Sequence, residues 1–246
     1  MNFFHAVNAS ISPPASAPIV TTNLQLHYDF TNPACYAGTG NVVNDLTSNG
    51  RNLTFVNAPT WHGSYFKFDG VNDYGSILNI SAVNSAGAVG YWIRLSTILI
   101  TTLTQRISGI NANWEFGRLD AGGGATNGGL ANCSPNPVPN GSIGADLGTY
   151  NNTYTTGYTF TNTAWANLVY TWSVGGTAKT YVNGVLVNTC FTGNTARTGT
   201  WTVGRSPGNT SRYYAGDIGW MTYYDAQLTD AQVLQNFNAT KSDYGY

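Results

Sequence analysis

The dipeptide Asn183-Gly184 lies between two runs rich in β-branched residues and predicts a tight β-hairpin. A two-residue type I′ turn requires a positive φ at both central positions, and Asn followed by Gly tolerates this well. The turn also sets the register of the two strands. It is expected to pair Val182 with Val185, Tyr181 with Leu186, and Thr180 with Val187.

A second turn extends this hairpin into a three-stranded antiparallel meander. Gly175-Gly176 joins the hairpin to a preceding strand, predicted over Trp165–Ser173. That strand alternates in polarity, with Ala166, Leu168, Tyr170 and Trp172 on its apolar side and Asn167, Thr171 and Ser173 on its polar side. The two hairpin strands alternate less regularly, which suggests that both of their faces are partly covered. The meander therefore favours a sandwich of two sheets.

Composition limits the classes of partner. Charged residues make up 9% of the 246 residues, against about 25% in ordinary soluble proteins. The ten Lys and Arg are scattered and the net charge is −1, so the sequence shows neither a basic face for nucleic acid nor a polybasic patch for a membrane. The most apolar window, residues 88–100, contains Arg94 and is too short to span a bilayer. Since the first twenty residues lack Lys, Arg and a clear apolar stretch, no signal peptide is predicted.

Residues 1–22 differ from the rest of the chain and predict an extended, Pro-rich N-terminal arm. Pro13, Pro14 and Pro18 exclude a helix there. The arm either packs on its own domain or docks on a neighbouring subunit, and the sequence leaves both open. Residues 23–246 are expected to form a single domain, because no internal repeat or further boundary is visible in them.

Most of this domain is predicted to be strand, with one short helix near the C-terminus. Further strands are expected at Leu24–Phe30, Tyr65–Phe68, Tyr74–Ile80, Val89–Leu95, Arg106–Ile110, Trp114–Leu119, Tyr150–Tyr158, Thr198–Val203 and Gly216–Tyr224. Thr229 and Gln232 form a capping box that begins the helix. Leu228 is expected to pack against Val233, and the apolar face of the helix to comprise Val233, Leu234 and Phe237.

Three cysteines, Cys35, Cys133 and Cys190, are far apart in the sequence and show no zinc-binding spacing. Isolated thiols are the expectation, and one disulfide with one remaining thiol is the alternative.

Seven segments, in order along residues 24–246, resemble the laminin-G-like jelly rolls of the concanavalin A-like lectin/glucanase superfamily. They are LHYDFTNP (Leu26–Pro33), NDLTSNGRNLTF (Asn44–Phe55), FKFDGVNDYGSI (Phe66–Ile77), WANLVYTW (Trp165–Trp172), KTYVNGVLV (Lys179–Val187), WTVGRS (Trp201–Ser206) and AGDIGWMTYYDAQLTDAQVLQNF (Ala215–Phe237). The resemblance implies an all-β, two-sheet antiparallel jelly-roll sandwich, with ligand bound at a loop rim or a concave face. The ending QNFNATKSDYG also resembles versions of the domain found in virus and phage structural proteins.

The catalytic dyad of the related glucanases is not predicted in this chain. Those enzymes carry two glutamates on one strand, whereas this chain contains one glutamate, Glu115, followed at the i+2 and i+4 positions by Gly117 and Leu119. Gly204–Gly208 matches the G-x-S-x-G pattern of a nucleophile elbow. However, Pro207, Gly208 and Asn209 follow the pattern's arginine and serine, so no helix can begin there and a hairpin loop is expected instead.

The resemblance also implies a candidate calcium site at a rim. Asp69, Asn72 and Asp73 share one turn and Asp217 lies elsewhere in the sequence, but Asp69-Gly70 is equally typical of a turn without metal. No ligand set is therefore assigned, and no other cofactor is expected.

Aromatic residues near strand ends could stack on sugars. They are Trp61, Trp114, Tyr158, Tyr213 and Tyr214, although aromatic residues in sandwiches are more often core. The candidate ligand-binding residues are Arg212, Tyr213, Tyr214 and Trp114, with the Tyr213-Tyr214 pair expected to be exposed in a polar loop.

The functional expectation is a non-enzymatic virion surface protein, either a capsid decoration or a host-attachment module, that binds glycans. Its expected partners are neighbouring subunits of an assembly, reached through the N-terminal arm, and surface glycans. The alternatives are a secreted or cell-surface carbohydrate-binding lectin, which would be extracellular, and a glycoside hydrolase.

Overall fold

The computed structural model describes residues 17–77, 80, 82–83, 86–97, 105–111, 114–119, 142–147, 153–173, 176–191 and 196–246. Its strands are β1 (Leu24–Asp29), β2 (Val42–Val43), β3 (Leu53–Val56), β4 (Thr60–Trp61), β5 (Phe66–Asp69), β6 (Tyr74–Ile77), β7 (Ala82–Val83), β8 (Gly87–Leu95), β9 (Gln105–Asn111), β10 (Trp114–Leu119), β11 (Ser142–Leu147), β12 (Thr153–Thr159), β13 (Ala166–Trp172), β14 (Thr177–Val182), β15 (Val185–Phe191), β16 (Arg197–Thr198), β17 (Thr202–Val203) and β18 (Ala215–Tyr224). A helix, α1 (Asp230–Thr240), and a 3₁₀ turn (Lys241–Tyr244) follow.

These strands form two eight-stranded sheets and a two-stranded ribbon, β16-β7, within the described ranges. Sheet 1 has the order β15-β14-β13-β8-β18-β5-β4, with β1 also paired to β18. Sheet 2 has the order β12-β11-β10-β9-β17-β6-β3-β2. The sequence prediction of an all-β, two-sheet antiparallel jelly-roll sandwich with a short C-terminal helix is confirmed.

Large aromatic side chains fill the space between the two sheets. Trp114 and Phe116 of β10 meet Trp172 of β13 at ring-centroid distances of 5.1 and 5.5 Å. Phe116 also stacks on Trp201 at 5.8 Å. Because aromatic rings bury large apolar areas and interlock in tilted and stacked pairs, they join the sheets firmly.

The hairpin at Asn183-Gly184 has the predicted turn. Asn183 has φ 52° and Gly184 has φ 77°, as type I′ requires. Val182 pairs with Val185 and Tyr181 with Leu186, but a register shift follows, and Thr180 pairs with Asn188. The predicted pairing of Thr180 with Val187 is therefore wrong, because a β-bulge adds one residue to β15 at this point.

The outer face of sheet 1 is covered by a third layer, so β13 is buried along its whole length. Val169 of β13 belongs to an apolar cluster with Val20, Leu228 and Val233. A neighbouring cluster joins Trp92 and Trp220 to Tyr244 of the 3₁₀ turn. The expected polar side of β13 is therefore not solvated, since the C-terminal segment packs over it.

Helix α1 begins as predicted, with both hydrogen bonds of the capping box formed between Thr229 and Gln232. Leu228 and Val233 pack in one cluster, as expected for residues that flank the cap. The buried face of the helix consists of Val233, Asn236 and Thr240. Leu234 is instead 46% exposed, so its predicted place on the buried face is wrong. Asn236 takes a buried position because its side chain binds Val20 N and Tyr224 Oη at 2.8 and 3.0 Å.

The last residues of the predicted arm pack on the domain. Val20 is buried, and its carbonyl oxygen accepts a 2.9 Å hydrogen bond from Tyr224 Oη. Gln235 Nε2 donates to the Pro18 carbonyl at 2.7 Å. Residues 17–20 thus join the layer on sheet 1, while residues 1–16 of the arm lie outside the described ranges.

Two further sequence expectations change. The strand predicted over Thr198–Val203 is divided between β16 and β17, which belong to different sheets. Cys35 is a buried free thiol, whereas Cys190 is disulfide-bonded, so the expectation of isolated thiols is wrong for Cys190. Cys133 lies outside the described ranges.

Among the helices that the structure describes, none has the length and apolarity needed to cross a membrane.

Candidate functional site

An open cavity of about 460 Å³ lies on the outer face of sheet 2. Its lining residues are Ser76, Ile110, Thr200, Thr202, Arg205, Pro207 and Gly208. Ligand pockets typically have volumes of roughly 300–1,000 Å³. The cavity therefore has room for a small molecule or for one or two rings of a larger one.

Three adjacent strands form the floor of the cavity. Thr202 of β17 is directly opposite Ser76 of β6 on one side and Gly109 of β9 on the other. The next residues along β6 and β17, Ile77 and Val203, belong to the hydrophobic core. Since successive side chains in a strand point to opposite faces, Ser76 and Thr202 present their hydroxyls away from the core.

The wall of the cavity is the loop that follows β17. Gly204 begins it with φ 89°, where an added Cβ would lie 2.5 Å from the Phe68 ring. Gly109 lets Pro207 approach the sheet, since a Cβ there would meet Pro207 Cδ at 3.0 Å. Hydrogen bonds from Ser206 N to Arg212 O and from Tyr214 N to Gly204 O, at 3.0 and 2.8 Å, close the loop on itself.

A buried polar network fixes this loop to sheet 2. Arg106 Nε of β9 binds Glu115 Oε2 of β10 at 2.6 Å, and the two side chains are 0% and 2% exposed. Ser206 Oγ donates a short hydrogen bond to Glu115 Oε1 and accepts one from Asn209 N at 2.9 Å. Thr202 Oγ1 donates to the Arg205 carbonyl at 3.0 Å. The loop is thus held at both its serine and its arginine, which makes the cavity wall a preformed surface.

Arg205 supplies the positive charge of the cavity. Its guanidinium carbon lies 3.6 Å from the centre of the Tyr74 ring, a close cation–π contact. Nε is shielded from solvent without a hydrogen-bond partner. Within the described part of the chain, no carboxylate forms a salt bridge with this side chain.

The structure brings only part of the predicted ligand-binding set to this site. Arg212 and Tyr213 are half-buried in the cavity loop, where Tyr213 forms an isolated β-bridge with Arg205. Tyr214 is 0% exposed, and its hydroxyl donates to the Arg94 carbonyl at 3.1 Å. Its predicted exposure is wrong because adjacent residues in extended backbone point to opposite sides, and Tyr214 points into the core.

Trp114 is also 0% exposed and packs against Trp172 between the sheets. It cannot stack on a ligand in this position, so its predicted exposure is wrong as well. Of the other aromatic residues considered, Trp61 and Tyr158 are half-buried and packed against the core cluster.

Sequence reasoning missed Ser76, Thr202 and Arg205. The available signal was the Gly204–Gly208 segment itself, which places a cation and a serine in a short glycine-bounded loop. The segment begins the loop 204–214, which connects β17 of sheet 2 to β18 of sheet 1. The predicted hairpin is therefore wrong for these two strands, because they do not pair with each other, and Ser206 contacts a carboxylate rather than a histidine.

Glu115 is held in a structural arrangement. Its two oxygens accept from Arg106 and Ser206, and it is almost fully buried. Asp146 of β11 lies directly opposite it in register, on a neighbouring strand that the sequence analysis had not identified. No second acidic residue lies on β10 itself.

The acidic residues considered for calcium are already engaged. Asp69 Oδ1 accepts from the backbone N of Val71, Asn72 and Asp73, at 2.8, 3.1 and 3.3 Å. Partial burial acts to raise the pKa of Asp69, but these backbone hydrogen bonds together lower it below its usual value. Asp217 pairs instead with Arg94, at 2.6 Å.

This donor set does not fit a calcium ion, because the carboxylates serve as turn cap and salt-bridge partner. Among the described residues, no three His, Cys, Asp or Glu side chains are grouped as a metal site would require.

Solved structures with similar folds include several domains from larger proteins. Domain 4 of AbnA, a GH43 extracellular arabinanase from Geobacillus stearothermophilus solved in complex with arabinotriose, is 19% identical with a TM-score of 0.58, over 87% of this chain and 98% of that one. The binding domain of botulinum neurotoxin serotype D is 15% identical with a TM-score of 0.59, over 87% and 51%. Trypanosoma rangeli sialidase is 13% identical with a TM-score of 0.63, over 92% and 34%. The chain thus spans about half of the toxin domain and a third of the sialidase, and these likenesses show the fold alone.

No curated protein is significantly similar to this chain in sequence. A laminin G family model, described as the concanavalin A-like lectin/glucanases superfamily, matches residues 68–234, more than half of the chain. This match includes β6, β9, β17 and the loop that together form the cavity. The chain belongs to the concanavalin A-like lectin/glucanases superfamily.

Proposed function

We propose that this protein is a non-enzymatic carbohydrate-binding module and that its ligand occupies the cavity on sheet 2. The observation that carries the proposal is the composition of that cavity. It combines hydroxyls from Ser76 and Thr200 with an arginine stacked on Tyr74, in a preformed surface. Sugars need both hydrogen-bonding groups and a rigid surface, and sites of this kind are largely formed before the ligand arrives.

The fold neighbours are consistent with this proposal. The arabinanase domain was solved with arabinotriose, and the toxin domain is named as a binding domain. Because a shared fold does not determine function, the cavity carries the argument and the neighbours only support it.

A glycan array followed by titration calorimetry tests the proposal. Thr200 is exposed at the edge of the cavity, so Thr200→Trp should fill the cavity without disturbing the core. We expect the variant to fold normally and to lose binding of every glycan that the native protein retains. Thr60→Trp, at an exposed position on β4 of the other sheet, is the matched control and should bind normally. Undiminished binding by Thr200→Trp would place the ligand elsewhere.

The absence of catalysis is part of the proposal. The buried contacts of Glu115 with Arg106 and Ser206 support it, because an acid or nucleophile must reach the scissile bond. Reducing-sugar release from a polysaccharide panel is the measurement, and none is expected. Turnover by the native protein that disappears in a folded Glu115→Gln variant would make the protein a hydrolase.

We place this module on a virion surface, as a capsid decoration or host-attachment protein. Two features support this setting: the low charge of the chain and the resemblance of its ending to virus and phage structural proteins. In this proposal the arm, residues 1–22, contacts a neighbouring subunit through the part before residue 17, since residues 17–20 pack on their own domain. Light scattering after size-exclusion chromatography should show an assembly for the full chain and a smaller species for a chain that begins at residue 17. A monomeric full chain would contradict the assembly role and favour the lectin alternative.

A further inference from the structure

The geometry points to an acidic sugar, one that carries a carboxylate, as the ligand class of the cavity on sheet 2. This inference rests on the proposed function, since it concerns the same site.

Three other cations of the domain each have an identified acidic partner. Arg94 pairs with Asp217 at 2.6 Å, Arg106 with Glu115 at 2.6 Å, and Lys179 with Asp230 at 2.8 Å. Arg205 has no such partner in the described residues, although it lines a cavity rather than projecting freely into solvent. Its planar face is occupied by Tyr74 and its Nε is shielded from solvent, which leaves the terminal Nη groups to meet a ligand.

Two carboxylates are connected to the cavity residues, and neither pairs with Arg205. Glu115 lies behind the loop and is neutralised by Arg106. Asp73, next to Tyr74 in the sequence, accepts a hydrogen bond from Asp69 N at Oδ2, at 3.1 Å, and forms no salt bridge with Arg205 among the described residues. Arg205 thus has no paired carboxylate within the described ranges, and a bound anion would supply one.

The chemistry of the remaining groups favours a carboxylate on a sugar over a small free anion. A guanidinium edge matches the two oxygens of a planar carboxylate, which it binds through paired N–H donors. The hydroxyls of Ser76 and Thr200 suit the hydroxyls of an attached sugar ring, and the cavity of about 460 Å³ is far larger than a carboxylate alone. Rigid stacking on Tyr74 also reduces the entropy that Arg205 loses on binding.

The test compares matched acidic and neutral ligands, using uronic-acid disaccharides and the corresponding neutral hexose disaccharides, with calorimetry on the full chain. Since hydrogen bonds to charged groups are stronger than neutral ones, we expect the acidic member to bind at least about tenfold more tightly. Raising the salt concentration should weaken only the acidic ligand.

Variants of Arg205 test whether this residue causes the preference for the acidic disaccharide. Arg205→Gln should abolish the difference between the two ligands, and Arg205→Lys, which keeps the charge but not the fork of donors, should retain part of it. Lys67→Gln removes an exposed cation from β5 of the other sheet and should leave the preference unchanged. Thermal melting verifies that each variant is folded, and the charge-conserving lysine variant keeps the comparison valid if the glutamine variant is unstable.

The outcomes separate this inference from the proposed function. Equal binding of acidic and neutral sugars, blocked by Thr200→Trp, would overturn the acidic preference and leave the carbohydrate-binding module intact. Competition by acetate as strong as that by the uronic acid would show a simple anion site and overturn the assignment to an acidic sugar. If no sugar of either charge binds, the proposed function fails as well.

Discussion

At the scale of single residues, Glu115 connects three parts of sheet 2. Glu115 lies on β10, forms an ion pair with Arg106 of β9, and accepts a hydrogen bond from Ser206 of the cavity loop. A carboxylate removed from water needs such partners, because its desolvation is costly unless charge and hydrogen bonds compensate for it. The Arg106–Glu115 ion pair therefore holds the cavity loop in place, although neither residue lines the cavity.

Glu115→Gln should destabilise the fold, because Arg106 loses this counter-ion inside the protein. Removing one partner of a buried ion pair typically costs about 3–5 kcal/mol. The free energy of unfolding from urea titration is the measurement. Lys179→Gln is the control, since the Lys179–Asp230 pair is more exposed, at 29% and 63%, and such pairs are worth about 1 kcal/mol or less. Equal effects of the two substitutions would show that Glu115 is not buried as described.

His27 should make stability depend on pH. Burial lowers the pKa of His27 from 6.5, against the opposing influence of Asp29 and Asp45. Its Nε2 accepts a 3.1 Å hydrogen bond from Trp220 Nε1, which requires an unprotonated nitrogen. Because the folded pKa lies below the unfolded one, the unfolded state takes up the proton first. The contribution of neutral His27 to the free energy of unfolding is therefore complete above about pH 6.5 and decreases as the pH falls.

Urea titrations between about pH 7 and pH 5 measure this effect, since that range lies above the ordinary titration of carboxylates. His27→Gln should flatten the pH dependence in this range. An unchanged slope in His27→Gln would contradict the assignment to His27.

At the scale of elements, the Asn183-Gly184 turn links the meander to the C-terminal helix. A Cβ on Gly184 would lie 3.1 and 3.2 Å from side-chain atoms of Phe237 and Leu234. Asn183 adds a side-chain contact, since its Oδ1 accepts from Asn167 N at 2.8 Å. The hairpin therefore depends on its own turn conformation and on the helix that packs against it.

Gly184→Val should lower the free energy of unfolding by about 1–3 kcal/mol, the usual cost of a strained backbone position. Thermal and urea unfolding provide the measurement. Gly40→Val is the matched control, because Gly40 also has a positive φ of 90° but has nothing within 4 Å of an added Cβ. Any loss of unfolding free energy in Gly184→Val beyond that in Gly40→Val measures the clash of the new side chain with the helix. An unchanged melting temperature would mean that the turn is not type I′.

At the scale of the whole molecule, residues 17–20 and the C-terminal segment form one layer over sheet 1. The backbone of Val20 is bonded to Asn236 and Tyr224, and its side chain is buried beside Val233. Both ends of the described chain thus meet on the face opposite the cavity side of the sandwich. A cavity ligand and an arm-mediated contact would therefore not compete for the same surface.

Two truncations should separate the parts of the arm. A chain beginning at residue 17 keeps every described contact and should melt as the native protein does. A chain beginning at residue 21 loses the buried Val20 side chain and its hydrogen bonds, which predicts a loss of about 2–4 kcal/mol. Calorimetric melting is the measurement. Equal stability of the two chains would return the domain boundary to residue 23, as the sequence analysis placed it.

Local sequence signals determined much of the architecture. The type I′ turn, the capping box and the alternation of Leu24–Phe30 depend on neighbouring residues and backbone preferences, so they could be predicted without tertiary contacts. The seven resembling segments extended these signals to the two-sheet fold. The same signals did not show the bulge in β15, because the turn sets only the first pairs of the hairpin. They could not show the break between β16 and β17 either, since those strands pair with β7 and with β6 and β9, which are distant in sequence.

The candidate site was decided by the tertiary structure. The sequence does not reveal which of two adjacent tyrosines faces the core, because that depends on where the loop 204–214 meets Phe68 and Arg94. Ser76 and Arg205 are separated by more than 120 residues in the chain, and only the pairing of β6 with β17 brings them to one cavity. Local chemistry thus set the strands and turns, whereas exposure and proximity came from packing over long sequence distances.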